Sequence, residues 1–265
     1  MHTHPAPTTS DPSARSASAG RRRHRPLVAL GLAAVLVALA ATPAGAQTAP
    51  WGTGGAEVGS NSGPAPAVVL VGDSLIAHDL GIGSQNESNA LRWWLGRGTY
   101  VSANNGASWV TYGWPGQQNG NSLVWDLAHF FGARLTIGAL ATNDARIMTS
   151  DPATYTQQAQ YNIMANAVGQ TRQYSACVML VNVARRNGIW GVSYASAQTV
   201  DNNMVWLAAV QSGGGVYVAD WDAYSAPHQA AWFLPGDVHM TAAGIAAYRD
   251  FITAQASNLI STKGC

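Results

Sequence analysis

A short apolar run at 67–71 ends in Gly72-Asp73-Ser74-Leu75, which sets a single serine between a carboxylate and a leucine. A serine hydroxyl is a poor nucleophile near neutral pH and attacks a carbonyl only when a base within hydrogen-bond reach takes its proton. Histidine suits that role, because with an ordinary pKa near 6.5 it accepts the proton and later returns it to a leaving group. A carboxylate on the other ring nitrogen fixes the tautomer, and donors aimed at the developing oxyanion are each worth about 2.7–4 kcal/mol. Taken alone, Ser74 reads more readily as the cap of a following helix than as a nucleophile. The deciding question is whether the chain supplies a base, an orienting acid and oxyanion donors. His239 lies in Gly236-Asp237-Val238-His239-Met240-Thr241, next to a carboxylate. His78, His129 and His228 lack such partners, and His228 competes as base only because it falls in the same loop.

The elements that would position these groups alternate. Buried strands are expected over 67–71, 100–103, 135–140, 177–183 and 216–219, with helices over 87–96, 123–131, 155–174, 197–211 and 241–260. Thr241 is the expected N-cap of the last helix. Strands alternating with helices of this length imply an α/β fold with a parallel sheet covered on both faces. Ligands in such a sheet bind beyond the C-terminal ends of the strands. The segments that follow strands are therefore the place to look. They are Gly72-Asp73-Ser74-Leu75 after the first, Asn104-Asn105-Gly106-Ala107-Ser108 after the second, and Ala141-Thr142-Asn143-Asp144 after the third. The segment around His239 comes after the fifth strand and a loop.

These four blocks, in this order, resemble the SGNH hydrolases, also called the GDSL lipase/esterase family. The resemblance runs over roughly residues 67–260 and is closest to secreted bacterial members in Trp232-Phe233-Leu234-Pro235 and Val238-His239-Met240-Thr241. It implies a three-layer α/β/α sandwich with a five-stranded parallel sheet, flavodoxin-like in outline. It implies Ser74 as nucleophile and His239 as base, with Asp237 as the orienting acid. The implied oxyanion hole is the Ser74 N–H, the Gly106 N–H and the Asn143 side-chain amide. The chain departs from the family at one point: the acid normally stands three residues before the histidine, and that position is Gly236. Asp237 lies one residue closer, and Asp220, Asp222 or a backbone carbonyl could hold His239 instead. Gly113, Gly116 and Gly120 compete with Gly106 for the second block.

Asp73 and Asp144 flank the key serine and asparagine and read as groups that hold the site's loops rather than touch substrate. Arg185 and Arg186 follow the fourth strand, and Trp109, Trp114 and Trp190 fall in rim loops. Arg185, Trp109, Trp114 and Trp190 are the candidate substrate contacts, with solvated loop charges and packed indoles as the competing readings.

The N-terminal region carries Arg21-Arg22-Arg23-His24-Arg25, an apolar stretch over 27–41 and Ala44-Gly45-Ala46. This is the pattern of a secretory signal over 1–46 cleaved after Ala46, by either the Sec or the twin-arginine route. A membrane span needs about 20 apolar residues, and Thr42-Pro43 interrupts this one early. If uncleaved, this signal would be the chain's one membrane contact. Residues 47–66 read as a flexible lead-in, and 67–265 as the domain. Cleavage removes five Arg and one Asp from totals of 14 basic and 13 acidic residues, leaving a net charge of about −3. With no clustered basic face and Lys263 as the sole lysine, a nucleic-acid partner has no support. No His/Cys cluster suggests a metal, and no cofactor is expected. Export would allow a disulfide between Cys177 and Cys265, the only cysteines, with two idle thiols as the competing reading.

The expectation is a secreted serine esterase that hydrolyses a carboxylic ester of an acylated carbohydrate or a lipid through an acyl-enzyme. An acyltransferase that passes the same acyl group to a glycan, and an inactive carbohydrate-binding surface protein, are the two rival readings.

Overall fold

The computed structural model describes residues 68–80, 99–103, 105–110, 120–211 and 214–265. The expected leader and lead-in, the helix over 87–96 with Trp93 and Trp94, Asn104, Gly113, Trp114 and Gly116 lie outside the described residues.

Strands β1 (Val68–Gly72), β2 (Thr99–Ala103), β3 (Leu135–Ala139), β4 (Cys177–Val181) and β5 (Val216–Ala219) form one sheet in the order β2-β1-β3-β4-β5. Every pairing is parallel. All residues of β1 to β4 are buried, which is why those runs are mostly apolar instead of alternating, with Thr99, Ser102 and Thr136 as buried polar exceptions. Successive side chains still point to opposite faces and divide into two cores. Val68, Leu70, Ile137 and Met179 enter one; Val69, Val71, Val178 and Leu180 enter the other. The helices are α1 (Gly120–Phe131), α2 (Ala141–Ser150), α3 (Gln157–Thr171), α4 (Tyr194–Val210), α5 (Trp221–Ser225), α6 (Gln229–Trp232) and α7 (Ala242–Lys263). Tyr248, Phe251, Ile252 and Leu259 of α7 close the first core. Leu127 of α1, Met164 of α3 and Met204 of α4 close the second. The result is the expected three-layer α/β/α sandwich. Each such fully buried side chain contributes about 1.5–3 kcal/mol relative to exposure.

Helix starts follow capping chemistry. Thr156, Ser193 and Thr241 each accept a hydrogen bond from a first-turn backbone N–H, so α3 and α4 begin at 157 and 194 and α7 at 242. Helix α2 runs through a segment expected only as a post-strand loop. Its N-cap, Leu140, makes no side-chain cap bond, so its start carries no capping signal in the sequence. The short α5 and α6 were likewise not expected.

The register sets the stage for the site. Gly72 of β1 stands level with Ala103 of β2 and Ala139 of β3, so these three strands end on one line. Ser74, Gly106 and Asn143 follow within four residues of it. At the opposite end, Cys177 at the start of β4 is joined to Cys265 by a disulfide, with Cα atoms 5.4 Å apart.

Candidate active site

The chain leaves β1 through a braced turn. The Asp73 N–H donates to the Ala139 carbonyl (3.1 Å), and the Asp73 carbonyl accepts from Ile76 and Ala77 N–H (3.1 and 2.9 Å). Its carboxylate accepts from the Leu75 N–H at 2.9 Å. Leu75–Asp79 then forms a π-helical turn, closed by the Leu80 N–H on the Leu75 carbonyl at 3.2 Å. Asp79 is the last residue of this turn. Asp73 is fully buried, and burial raises its pKa to about 7 against the opposing pull of the Leu75 N–H and His239.

The loop after β2 is held from α2. Asn143 Nδ2 donates to the Ala107 carbonyl at 3.0 Å and lies 3.5 Å from Asp73 Oδ2. Asp144 Oδ2 accepts from the Trp109 backbone N–H at 2.8 Å. Gly106 has φ +77°, a left-handed conformation that glycine adopts without cost. The long Asn143–Asp73 contact leaves one amide proton of Asn143 weakly used. The N-terminal turn of α2, whose dipole favours negative charge, carries Asn143 itself.

His239 sits on a tight loop. Asp237 N–H donates to the Leu234 carbonyl (3.2 Å), Leu234 N–H donates to the His239 carbonyl (3.0 Å), and Phe233 bridges Met240. With Pro235 second and Gly236 third at φ +70°, Leu234–Pro235–Gly236–Asp237 has the pattern of a type II turn. An L-residue at a left-handed position costs about 1–2 kcal/mol. The turn therefore demands glycine at the position where the family places its acid.

The carboxylate comes from elsewhere. Asp79 Oδ1 meets His239 Nδ1 at 2.9 Å, and Asp79 Oδ2 accepts the Met240 N–H at 3.0 Å. The Asp79 side chain is 2% exposed and the His239 side chain 27%, so the acid is sheltered and the imidazole reaches open space. Asp79's hydrogen bond raises the His239 pKa above its ordinary 6.5, with burial opposing and Asp237 and Asp73 adding. This corrects the expectation for Asp237. Its carboxylate accepts from the His239 backbone N–H at 3.1 Å and braces the loop instead of the ring. Asp220 and Asp222 are held away from the ring by other partners. Asp220 caps α5 and accepts from Asn182, and Asp222 pairs with Arg185.

Ser74, Gly106, Asn143, Asp237 and His239 all line one cleft of about 550 Å³, with Thr142, Arg146, Trp190 and Val192 along its other walls. The remaining sequence candidates separate clearly. Trp190 is on this cleft and 77% exposed. Trp109 is not a substrate contact: it is fully buried in the second core, where indole area is worth more than at a rim. Arg185 is not one either, because Asp222 holds its guanidinium (2.7 Å from Nε) and Asp201 lies 3.4 Å away. Arg186 stacks over the Phe233 ring at 3.8 Å and donates to the Asp237 carbonyl, bracing the histidine loop. Burial lowers its pKa to about 10. His228 is exposed and stacks on Trp232, and His129 lies against Trp125 and Tyr174. Of the competing second-block glycines, Gly106 lines the cleft and Gly120, which opens α1, does not. Sequence reading missed Asp79 and Arg146. The signal for Asp79 was the Pro-Gly turn, which excludes an acid at 236 and sends the search elsewhere.

No protein-family model and no curated protein matches the sequence. Solved structures do match the fold. The lipase/acylhydrolase from Enterococcus faecalis is 13% identical with a TM-score of 0.56, over 72% of this chain and 95% of that one. A protein described as a GDSL-like lipase from Parabacteroides merdae is 13% identical with a TM-score of 0.54, over 74% and 97%. A mutant of an acetyl-xylooligosaccharide esterase from Geobacillus is 12% identical with a TM-score of 0.53, over 73% and 95%. The chain has the SGNH-hydrolase fold.

Proposed function

We propose that the protein is a secreted serine ester hydrolase acting on short acyl groups, those on a carbohydrate foremost. The observation that carries this reading is the buried Asp79 carboxylate on His239 Nδ1, facing a cleft that Ser74, Gly106 and Asn143 share. Asp79 keeps the proton on Nδ1, so Nε2 is the basic nitrogen. His239 takes the Ser74 hydroxyl proton as Oγ bonds the acyl carbon. The tetrahedral oxyanion is met by the Ser74 and Gly106 N–H groups and by the Asn143 amide. Collapse breaks the bond to the alkoxy oxygen, which leaves with the proton from His239. Water then repeats the sequence on the acyl-enzyme, giving a carboxylic acid and regenerating Ser74.

The inactive-binder reading drew its support from glycine at 236. With Asp79 on the ring, that support is gone. The test is hydrolysis of p-nitrophenyl esters of increasing chain length by wild type and Ser74→Ala, with fluorophosphonate labelling of Ser74. Removing a triad member costs on the order of 10⁴-fold or more, so Ser74→Ala should fall to background. Equal rates in the two proteins, or a folded wild type that resists labelling, defeat the reading.

A further inference from the structure

We infer that the cleft carries a built-in anion site, Arg146 stacked on Trp190, that selects esters whose sugar-like body bears a carboxylate. The inference rests on the ester-hydrolase reading and names its substrate class. Asn143 and Arg146 are three apart on α2 and therefore share a helix face. Both line the cleft. Arg146 stands one turn beyond the oxyanion donor, about 4.5 Å along the axis. Its guanidinium carbon lies 4.9 Å from the Trp190 ring centroid. An arginine on a free surface is ordinarily solvated and mobile. Arg146 is exposed, yet its guanidinium lies against an indole, and it has no carboxylate partner among the described residues. Trp190 is in turn tied to the base: its backbone N–H donates to the Gly236 carbonyl at 2.9 Å, inside the turn that leads to His239.

Two features specify the ligand. A stacked guanidinium presents a planar fork that matches a planar carboxylate. The indole remains 77% exposed, an apolar face that a sugar ring would cover. The cleft's own carboxylate, Asp237, is engaged by the His239 N–H and forms no ion pair with Arg146. A uronic-acid-containing saccharide ester meets both features at once.

The test compares kcat/KM for para-acetoxybenzoate with para-acetoxybenzamide, and for an O-acetylated hexuronic acid with an O-acetylated hexose. Wild type is expected to prefer each acid by roughly tenfold or more, the scale of one charge-assisted fork. The preference should shrink as salt is raised and collapse towards unity in Arg146→Gln. Trp190→Ala should weaken the saccharide preference more than the benzoate one. Hydrolysis that depends on Ser74 but shows no acid preference overturns the anion site and leaves the enzyme reading standing. If neither ester is cleaved in a Ser74-dependent way, the enzyme reading falls. Calorimetric titration of hexuronate and hexose then decides the anion site alone: binding of the acid that Arg146→Gln abolishes supports it, and equal binding of both sugars defeats it.

Discussion

If Asp79 orients His239, its removal has a signature that a merely structural carboxylate would not give. Asp79→Asn keeps the size and one acceptor but turns a donor towards Nδ1 and favours the wrong tautomer. In a serine protease the same exchange costs about 10⁴ in kcat, so a loss of about 10³–10⁴ with little change in KM is expected here on p-nitrophenyl acetate. Asp237→Asn, which leaves the ring untouched, should lose less than about tenfold. The pH profile separates the roles further. His239 works as a base only when neutral, and Asp79 raises its pKa above 6.5. The acid limb of kcat/KM should therefore lie above that value in wild type and move to lower pH in Asp79→Asn. An unmoved limb would mean that the hydrogen bond seen at 2.9 Å does not govern the base.

At the scale of elements, the site is held by segments that lean on each other, and α2 does most of the bracing. Asn143 and Asp144 fix the loop after β2, and Gln160 of α3 donates to Asp144 at 3.4 Å while accepting from Asn203 of α4 at 2.8 Å. Burial raises the Asp144 pKa to about 8, against the Trp109 and Gln160 hydrogen bonds. The unfolded value is near 3.9. A carboxyl whose folded pKa is the higher one stabilises fully below about pH 4 and loses that contribution as pH rises towards 8. Asp73 and Asp201, raised to about 7 by burial, act in the same direction. Urea unfolding at pH 5 and pH 8 should show wild type weaker at the higher pH, with a shallower loss in Asp144→Asn. Parallel slopes would detach Asp144 from the effect. Strands β1 and β4 were legible in the sequence because burial on both faces writes a continuous apolar run, β2, β3 and β5 because β-branched and aromatic residues gather in short runs, and the loops after the strands because a parallel sheet directs chemistry to its C-terminal edge. Helix α2 was not, since Ala141-Thr142-Asn143-Asp144 has the composition of a turn and no capping side chain. Asp79 was not, because its tie to His239 spans 160 residues and passes through a π turn that no local pattern announces. Trp109 was misplaced because an indole beside a rim glycine reads the same whether it points out or in.

Over the whole molecule, the last helix connects the chemistry to the far end of the sheet. Helix α7 starts at the Thr241 cap, two residues after His239, and runs 22 residues, about 33 Å, to Lys263. There Cys265 closes on Cys177 at the N-terminal edge of β4, and Arg134 donates to the Gly264 carbonyl at 2.6 Å. The disulfide thus anchors the end of α7 remote from the site and closes a loop with a sequence separation of 88. Crosslinking a loop of that length restricts the unfolded chain, and loss of such a bridge costs about 2–5 kcal/mol. At about 2–4 °C per kcal/mol for a domain of this size, Cys265→Ser should lower Tm by roughly 5–15 °C. Reductant should lower wild type alone towards the same value. Because α7 is also held along its length by Tyr248, Phe251, Ile252 and Leu259, the cap end should stay in place while the protein is folded. Esterase activity measured well below the lowered Tm should then remain within about twofold of wild type, the behaviour of a substitution that acts chiefly through the unfolded state. A large loss of activity in folded Cys265→Ser would instead mean that the bridge sets the position of His239 through the helix.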